Sequence, residues 1–377
     1  MPKFATTLVC AAVAATLAIA SSAAMAAGPK ISNTPGVNPE CFKPWTPDTK
    51  TFQWPAKTGP YRIALVNGYV GNTWRIQMIK TAKAYAALPD VAKDLKEFRI
   101  VSVGNDAAAQ LGAIEDFINQ GFDAIIINAV STSGFDRVIR LANQKGVVLI
   151  AFDNVPDSND IMKVDENQYT IGQIGGEWLL KTFGPKGRIL EVRGVMGSPV
   201  DRDRHEGFRD TVKAANAQYE FVEVVGNWDV GVSQKAVADA LAVHGKFDAI
   251  FAQAGTNGTV QAMIDAHHPF VPMYGEGENE FRKQIFQYKD QGLKGKSFGS
   301  SPAQVAISTK AAILALEGNP LPQFISVPIP VADYTTMQPG KDFWPELNVD
   351  FFAVNDFPPC GVAFTAPEIM AQSAENK

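Results

Sequence analysis

This sequence has little of what reactive chemistry usually requires. It holds three cysteines and four histidines among 377 residues. The histidines, His205, His244, His267 and His268, show no ligand spacing, and His267-His268-Pro269 reads as a helix end, so no metal site is expected. The turn Gly68-Tyr69-Val70-Gly71-Asn72 lacks the G-x-G-x-x-G dinucleotide fingerprint, and no G-x-x-x-x-G-K-[ST] loop occurs. Nothing therefore points to a nucleotide, and no cofactor is expected. An excess of positive charge is also missing: 34 Lys and Arg stand against 39 Asp and Glu, a formal charge of −5. An acidic, unclustered balance argues against nucleic acid as a partner. Beyond residue 26 there is neither a low-complexity run nor an apolar stretch able to span a bilayer.

The start of the chain carries an export signature. Lys3 precedes an uncharged apolar run from Leu8 to Ala20, and Ala24-Met25-Ala26 fits a small-x-small cleavage site. A signal peptide over 1–26 is expected, cleaved after Ala26, with a soluble product in the periplasm. Cys10 leaves with it. Cys41 and Cys360 remain, a single pair in an oxidising compartment, and a disulfide between them is expected. In the chain-entropy model so long a loop stabilises by about 4–5 kcal/mol, less any strain.

The rest of the chain repeats itself. Arg62-Ile63-Ala64-Leu65-Val66-Asn67-Gly68 returns as Arg188-Ile189-Leu190-Glu191-Val192-Arg193-Gly194. Val103-Gly104-Asn105 returns as Val225-Gly226-Asn227, and Phe122-Asp123-Ala124-Ile125-Ile126-Ile127-Asn128 as Phe247-Asp248-Ala249-Ile250-Phe251-Ala252-Gln253. Three pairs in the same order, each offset by about 125 residues, indicate two half-chains of one architecture. Apolar strand candidates (62–66, 98–103, 123–127, 147–151, 188–192, 220–225, 248–252, 271–274) alternate with helical patterns (73–88, 107–120, 134–145, 168–182, 203–216, 233–243, 257–267, 303–317). That alternation predicts an α/β fold of βαβ units with parallel sheets, in two similar Rossmann-like lobes. The expected division is an irregular leader over 27–59, with Trp45, Phe52 and Trp54 as anchors. A first lobe follows over 60–164 plus 301–328, then a second over 165–300 plus 329–360, and a tail over 361–377. The chain is expected to cross between lobes near 164–165, 300–301 and 327–330, a three-strand hinge.

In open parallel sheets ligands bind beyond the carboxyl ends of the strands, and a cleft between lobes is a natural ligand site. The loops there are 67–74, 105–106, 128–133, 153–154, 193–204, 227–229, 253–257 and 276–279. They are rich in Asn, Asp, Glu, Gln, Arg and Trp, groups that bind hydroxyls and pack on C–H faces. The plainer reading of the same Asn, Asp and Gly residues is turn formation and helix capping.

At these loops the chain resembles the type I periplasmic sugar-binding proteins, ribose-binding-like solute receptors of ABC importers, over roughly residues 60–330. The segments that carry it are Ile63-Ala64-Leu65-Val66 with Gly71-Asn72-Thr73-Trp74, the run from Gly121 to Asn128, and Ile150-Ala151-Phe152-Asp153-Asn154. Arg202-Asp203-Arg204-His205-Glu206-Gly207-Phe208 is the most specific, and Ser300-Ser301-Pro302-Ala303-Gln304 adds to it. The resemblance implies a ligand-contacting Asn72, an aromatic Trp74 that stacks on sugar, and Asn128 after the third strand. It implies that Asp153 takes two hydroxyls beside Asn154, that Arg204 bridges ligand and hinge, and that Trp228 is the second lobe's aromatic. Tyr69, Glu278 and Ser300 complete the expected contacts. Three positions depart from the family pattern. Arg75 stands where an aromatic is common, Ala254-Gly255 replaces an Asn-Asp pair, and Gly277 stands where a carboxylate usually follows the strand, between Glu276 and Glu278.

The resemblance thus implies a monomeric receptor for a sugar or polyol, not an enzyme, with an ABC permease as partner and no membrane contact except through it. Three other readings compete. A chemoreceptor or sensor kinase is a further possible recipient of the signal. A glycosidase using Glu276 and Glu278 needs opposed carboxylates about 5–9 Å apart. A sugar-responsive repressor needs a DNA-binding helix pair where this chain has its signal and leader.

Overall fold

The computed structural model describes residues 28–347 and 351–376. The expected signal peptide, 1–26, lies outside the described residues. Among those described, no helix is long and apolar enough to cross a membrane.

The leader is less irregular than expected. It holds three short strands, β1 (Lys30–Ser32), β2 (Lys43–Pro44) and β3 (Thr51–Gln53). Its aromatics do anchor it: Phe52 and Trp54 are buried in the first lobe's core, and Trp45 stacks on Phe324 with ring centroids 3.9 Å apart.

The first half then runs β4 (Tyr61–Asn67), α1 (Thr73–Ala86), the single-turn α2 (Pro89–Ala92), β5 (Leu95–Ser102), α3 (Ala107–Asn119), β6 (Ala124–Ile127), α4 (Asp136–Lys145), β7 (Val148–Phe152) and β8 (Met162–Glu166). The second half follows with α5 (Gln168–Thr182), β9 (Lys186–Arg193), α6 (Pro199–Ala214), β10 (Gln218–Val225), α7 (Val230–His244), β11 (Ala249–Ala252), α8 (Thr256–Asp265), β12 (Met273–Gly275), α9 (Asn279–Tyr288) and β13 (Gly295–Phe298). The chain closes with α10 (Gln304–Leu316), β14 (Leu321–Pro322), β15 (Phe324–Val327), β16 (Val331–Asp333) and α11 (Ala366–Met370).

The two large sheets share one plan. The first runs β5-β4-β6-β7-β8-β15-β2 and the second β10-β9-β11-β12-β13-β16. The repeated segments fall on corresponding strands, 62–68 and 188–194 on β4 and β9, 122–128 and 247–253 on β6 and β11. Pairing is parallel except at one edge of each sheet, where β2 runs against β15 and β16 against β13. Both faces of each sheet are covered. In β4, Ile63 and Leu65 enter the core beneath α1 and α10, while Ala64 and Val66 enter the core beneath α3 and α4. Each Ile or Leu fully buried in this way contributes about 1.5–3 kcal/mol of transfer free energy. Burial on both faces is why these strands read as unbroken apolar runs.

Polar residues at the strand ends start the helices. Asn72, Asp106, Asn167, Ser198 and Asp229 each accept a backbone N–H at the start of α1, α3, α5, α6 and α7. The lobes are joined between β8 and α5, between β13 and α10, and between β15 and β16. The C-terminal segment differs from expectation. β16, Met337 and Phe343 belong to the second lobe, but Phe357 and Cys360 are buried in the first lobe's core. Cys41 and Cys360 form the expected disulfide, with Cα atoms 4.7 Å apart.

Candidate functional site

The carboxyl ends of both sheets meet at a cavity. Its lining comes from the first lobe (Asn72, Trp74, Arg75, Asp153, Asn154), the second (Val200, Arg204, Trp228, Glu276), the hinge (Ser300) and the C-terminal segment (Phe352). About 340 Å³ of space, part of it open to solvent, lies between the lining atoms.

Asp153 follows β7 in the left-handed region at φ 57°. Its Oδ2 accepts from Asn128 Nδ2 at 3.1 Å and from Asn154 Nδ2 at 2.7 Å. Burial raises its pKa, opposed first by Arg75 and then by Arg204. Asn128 thus stands behind Asp153, outside the lining. Arg75, 5% exposed, donates through Nη1 to Asn67 Oδ1 at 2.5 Å, and its guanidinium lies 5.4 Å from the Tyr69 ring. Among the described residues it has no ion-pair partner.

Arg204 is 2% exposed and fully braced. It pairs with Glu276 Oε1 at 3.0 Å and donates to the Gln253 carbonyl at 3.1 Å and to Gln168 Oε1 at 2.8 Å. Gln168 Nε2 then donates to Asp165 Oδ1 at 2.8 Å, so a polar chain runs from the cavity to the hinge. Burial pushes Glu276 up to about 8, against the pull of Arg204. It also holds the hinge carboxyls Asp165 and Glu166 well above the ordinary carboxylate range.

Trp74 lies against the hinge, donating Nε1–H to the Ser300 carbonyl at 3.0 Å. Trp228 donates to Gln253 Oε1 at 3.3 Å from a turn in which Asn227 and Trp228 both have positive φ. Its indole packs against Gly194, where an added Cβ would come within 2.0 Å of Nε1. The cavity wall therefore needs glycine at the end of β9.

Asn72 is both a helix cap and a lining residue. Its Oδ1 accepts the Arg75 amide at 2.9 Å, and its Nδ2 donates to Tyr69 Oη at 3.1 Å. Tyr69 is not part of the lining; it reaches the second lobe, its hydroxyl donating to the Asn227 carbonyl at 3.4 Å. Glu278 is not in the lining either. Its carboxylate caps α8, accepting from the amides of Gly255 (2.7 Å), Thr256 (2.8 Å) and Asn257 (3.2 Å) and from the Thr256 hydroxyl. Gly255 offers no capping side chain, so Glu278 supplies one. Glu276 occupies the cavity in its place. From the sequence, Arg75 stood out only as a departure, Glu276 and Val200 lay within candidate loops without being named as ligand contacts, and Phe352 was missed. Glu191, His205 and Glu223 also gather, but Arg209 and Arg193 thread them into an ion-pair network.

The periplasmic binding protein domain family matches residues 63–320. The chain belongs to that family. The binding protein is 24% identical over 150 residues to the ribose import binding protein RbsB of Salmonella typhimurium, a stretch covering 40% of this chain and 50% of that relative. It is 25% identical over 182 residues to a xylitol-binding protein of Mycolicibacterium smegmatis, covering 46% and 51%. These matches span about half the length of those relatives. An ABC transporter solute binding protein from Thermobispora bispora has 27% identity and a TM-score of 0.70, over 79% of this chain and 92% of that one. The type I resemblance drawn from the strand-end loops thus holds at the level of family and fold.

Proposed function

We propose that the binding protein is a periplasmic receptor for a neutral sugar or polyol of monosaccharide size, delivering it to an ABC permease by closure of the hinge. The observation that carries the reading is the cavity's composition: two arginines, two carboxyl groups and two tryptophans in one space between the lobes. Arg75 and Arg204 supply donors and Asp153 and Glu276 supply oxygens, which an uncharged polyhydroxylated ligand can meet together. Separated donors and acceptors suit hydroxyls, each of which donates and accepts at once. The indole faces of Trp74 and Trp228 suit C–H surface.

Asn72, Trp74, Asp153, Asn154, Arg204, Trp228 and Ser300 are proposed contacts, joined by Arg75 and Glu276. The relatives' names support a polyhydroxylated ligand, since one is a ribose and one a xylitol binder. Export through the proposed 1–26 signal would deliver it to the periplasm, and we propose that it acts there as a monomer. The carboxylate of Glu278 is spent on a helix cap, which counts against a glycosidase built on the Glu276 and Glu278 pair.

A thermal-shift screen tests the proposal with pentoses, hexoses, tetritols, pentitols, hexitols and sugar acids. A specific ligand raises Tm by mass action. A shift with neutral members is expected. Shifts confined to sugar acids overturn the neutral-ligand reading, and none at all overturns the sugar reading.

A further inference from the structure

The family match ends at residue 320, and the chain beyond it returns to the cavity. At 351–355 it runs between the lobes, held from both sides. On the second-lobe side the Asn279 amide donates to the Phe351 carbonyl at 2.8 Å, and the Ala353 amide to the Gly277 carbonyl at 2.9 Å. On the first-lobe side Gln77, projecting from α1, clasps Phe352. Its Oε1 accepts the Phe352 amide at 2.8 Å, and its Nε2 donates to the Phe352 carbonyl at 3.2 Å and to Asn355 Oδ1 at 2.6 Å. In the hinge, Ser301 Oγ donates to the Val354 carbonyl at 2.9 Å. The far end is tied down by the disulfide to Cys41 and by Lys310 Nζ, which donates to the Cys360 carbonyl at 2.6 Å. This strap is a fourth connection between the lobes.

Position 352 belongs to both the core and the cavity. Phe352 is 3% exposed, packs in the first lobe's core and lines the cavity with Trp74 and Arg75.

We infer that Phe352 is a specificity-determining residue, which closes one end of the ligand cavity and limits the length of the bound molecule. The inference rests on the binding-protein reading above. A clasped aromatic ring is a stiff wall, and an added methylene against such a wall forces neighbours off their rotamers. Shortening the ring therefore opens room along the ligand's long axis and removes contact with the ligand the wild type prefers.

The test uses the full exported chain with erythritol, xylitol and sorbitol, and with the tetrose, pentose and hexose aldoses. Dissociation constants are measured for wild type, F352L and F352A. F352L retains most of the core volume and folds where F352A is too damaging. The expected result is a ranking that moves toward the longer members in the order Phe, Leu, Ala, by at least tenfold in the ratio of constants for F352A. A ligand-free reading accompanies it: acrylamide quenching of each variant against its W74F/W228F counterpart should rise as the ring is shortened. A wild type that binds while both variants keep its ranking overturns the inference alone. Unchanged quenching overturns the placement of Phe352 as a wall. A wild type that binds no member of either series overturns the binding reading, and the inference with it.

Discussion

The two lobes present the same inventory to the cavity in different states of readiness. In the first, Arg75 and Asp153 are both buried, yet among the described residues the Arg75 guanidinium donates only to Asn67, and Asp153 is held by two amides. In the second, Arg204 and Glu276 are joined at 3.0 Å, and Arg204 is further braced by Gln168 and the Gln253 carbonyl. The loop before α6 is braced as well, since Asp201 takes Arg193 at 2.6 Å and the Gly194 amide at 2.8 Å. The difference teaches a division of labour. A cation and an anion kept apart leave room for hydroxyls to complete them. A pre-formed pair fixes geometry and passes any change at the cavity along Gln168 to the hinge.

The largest expected effect concerns what fastens the C-terminal strap to the first lobe. Replacing both Cys41 and Cys360 by Ser should lower stability by about 4–5 kcal/mol in the chain-entropy model, read by urea denaturation of the exported protein. A loss below 1 kcal/mol would mean that the strap adds little constraint to the first lobe.

The second test sets the two arginines against each other. Removing Arg204 leaves Glu276 buried and alone, and breaking a buried pair costs about 3–5 kcal/mol. Arg75→Met removes a buried cation that has no ion-pair partner among the described residues, and should cost less. Denaturation of R204M and R75M side by side decides it. Equal losses would erase the distinction between the lobes.

Ligand affinity gives the third test. Each charge-assisted hydrogen bond to a hydroxyl contributes about 1.5–3 kcal/mol, so Asp153→Ala should weaken binding at least tenfold by titration calorimetry. Asp153 is held by amides and is not joined to a cation as Glu276 is, so its loss should lower Tm less than R204M does. Trp74→Phe and Trp228→Phe should keep most affinity and the Ala variants should lose it.

The smallest effect is a pH dependence at the hinge. Burial raises the Asp165 carboxyl. A raised folded-state value means that the folded protein holds a proton the unfolded chain releases. The resulting stability is full below the unfolded value of about 4 and is lost as pH rises through the folded one. Asp165→Asn cannot titrate, so its stability relative to wild type should grow from pH 4 to pH 8 in parallel denaturations. A constant difference would show that the hinge carboxyl titrates normally.

Much of this was legible in the chain. The strands that sequence reasoning proposed are present because unbroken apolar runs such as Val148–Phe152 report burial on both faces. Strands β8 and β13 escaped it, since Met162–Glu166 buries Lys163, Asp165 and Glu166 and Gly295–Phe298 carries Gly, Lys and Ser before its one apolar residue, so neither is an apolar run. The rule that ligands sit beyond the carboxyl ends of strands found Asp153, Arg204, Trp74 and Trp228 at the cavity. It could not sort the residues at one strand end by role. Glu276 and Glu278 are two positions apart, yet one faces the cavity and the other caps α8.

What the sequence determined by itself was whatever is encoded locally or by repetition: the doubled α/β plan, the alternation of strand and helix, the caps, and the loops from which a site would be built. Only the tertiary structure decided which polar groups at those loops remain available. That depends on partners far away in the chain, such as Gly255 for Glu278, Asn67 for Arg75 and Gln77 for Phe352. A buried polar group is committed by whatever donor or acceptor the fold brings within about 3 Å of it, and no local pattern carries that distance.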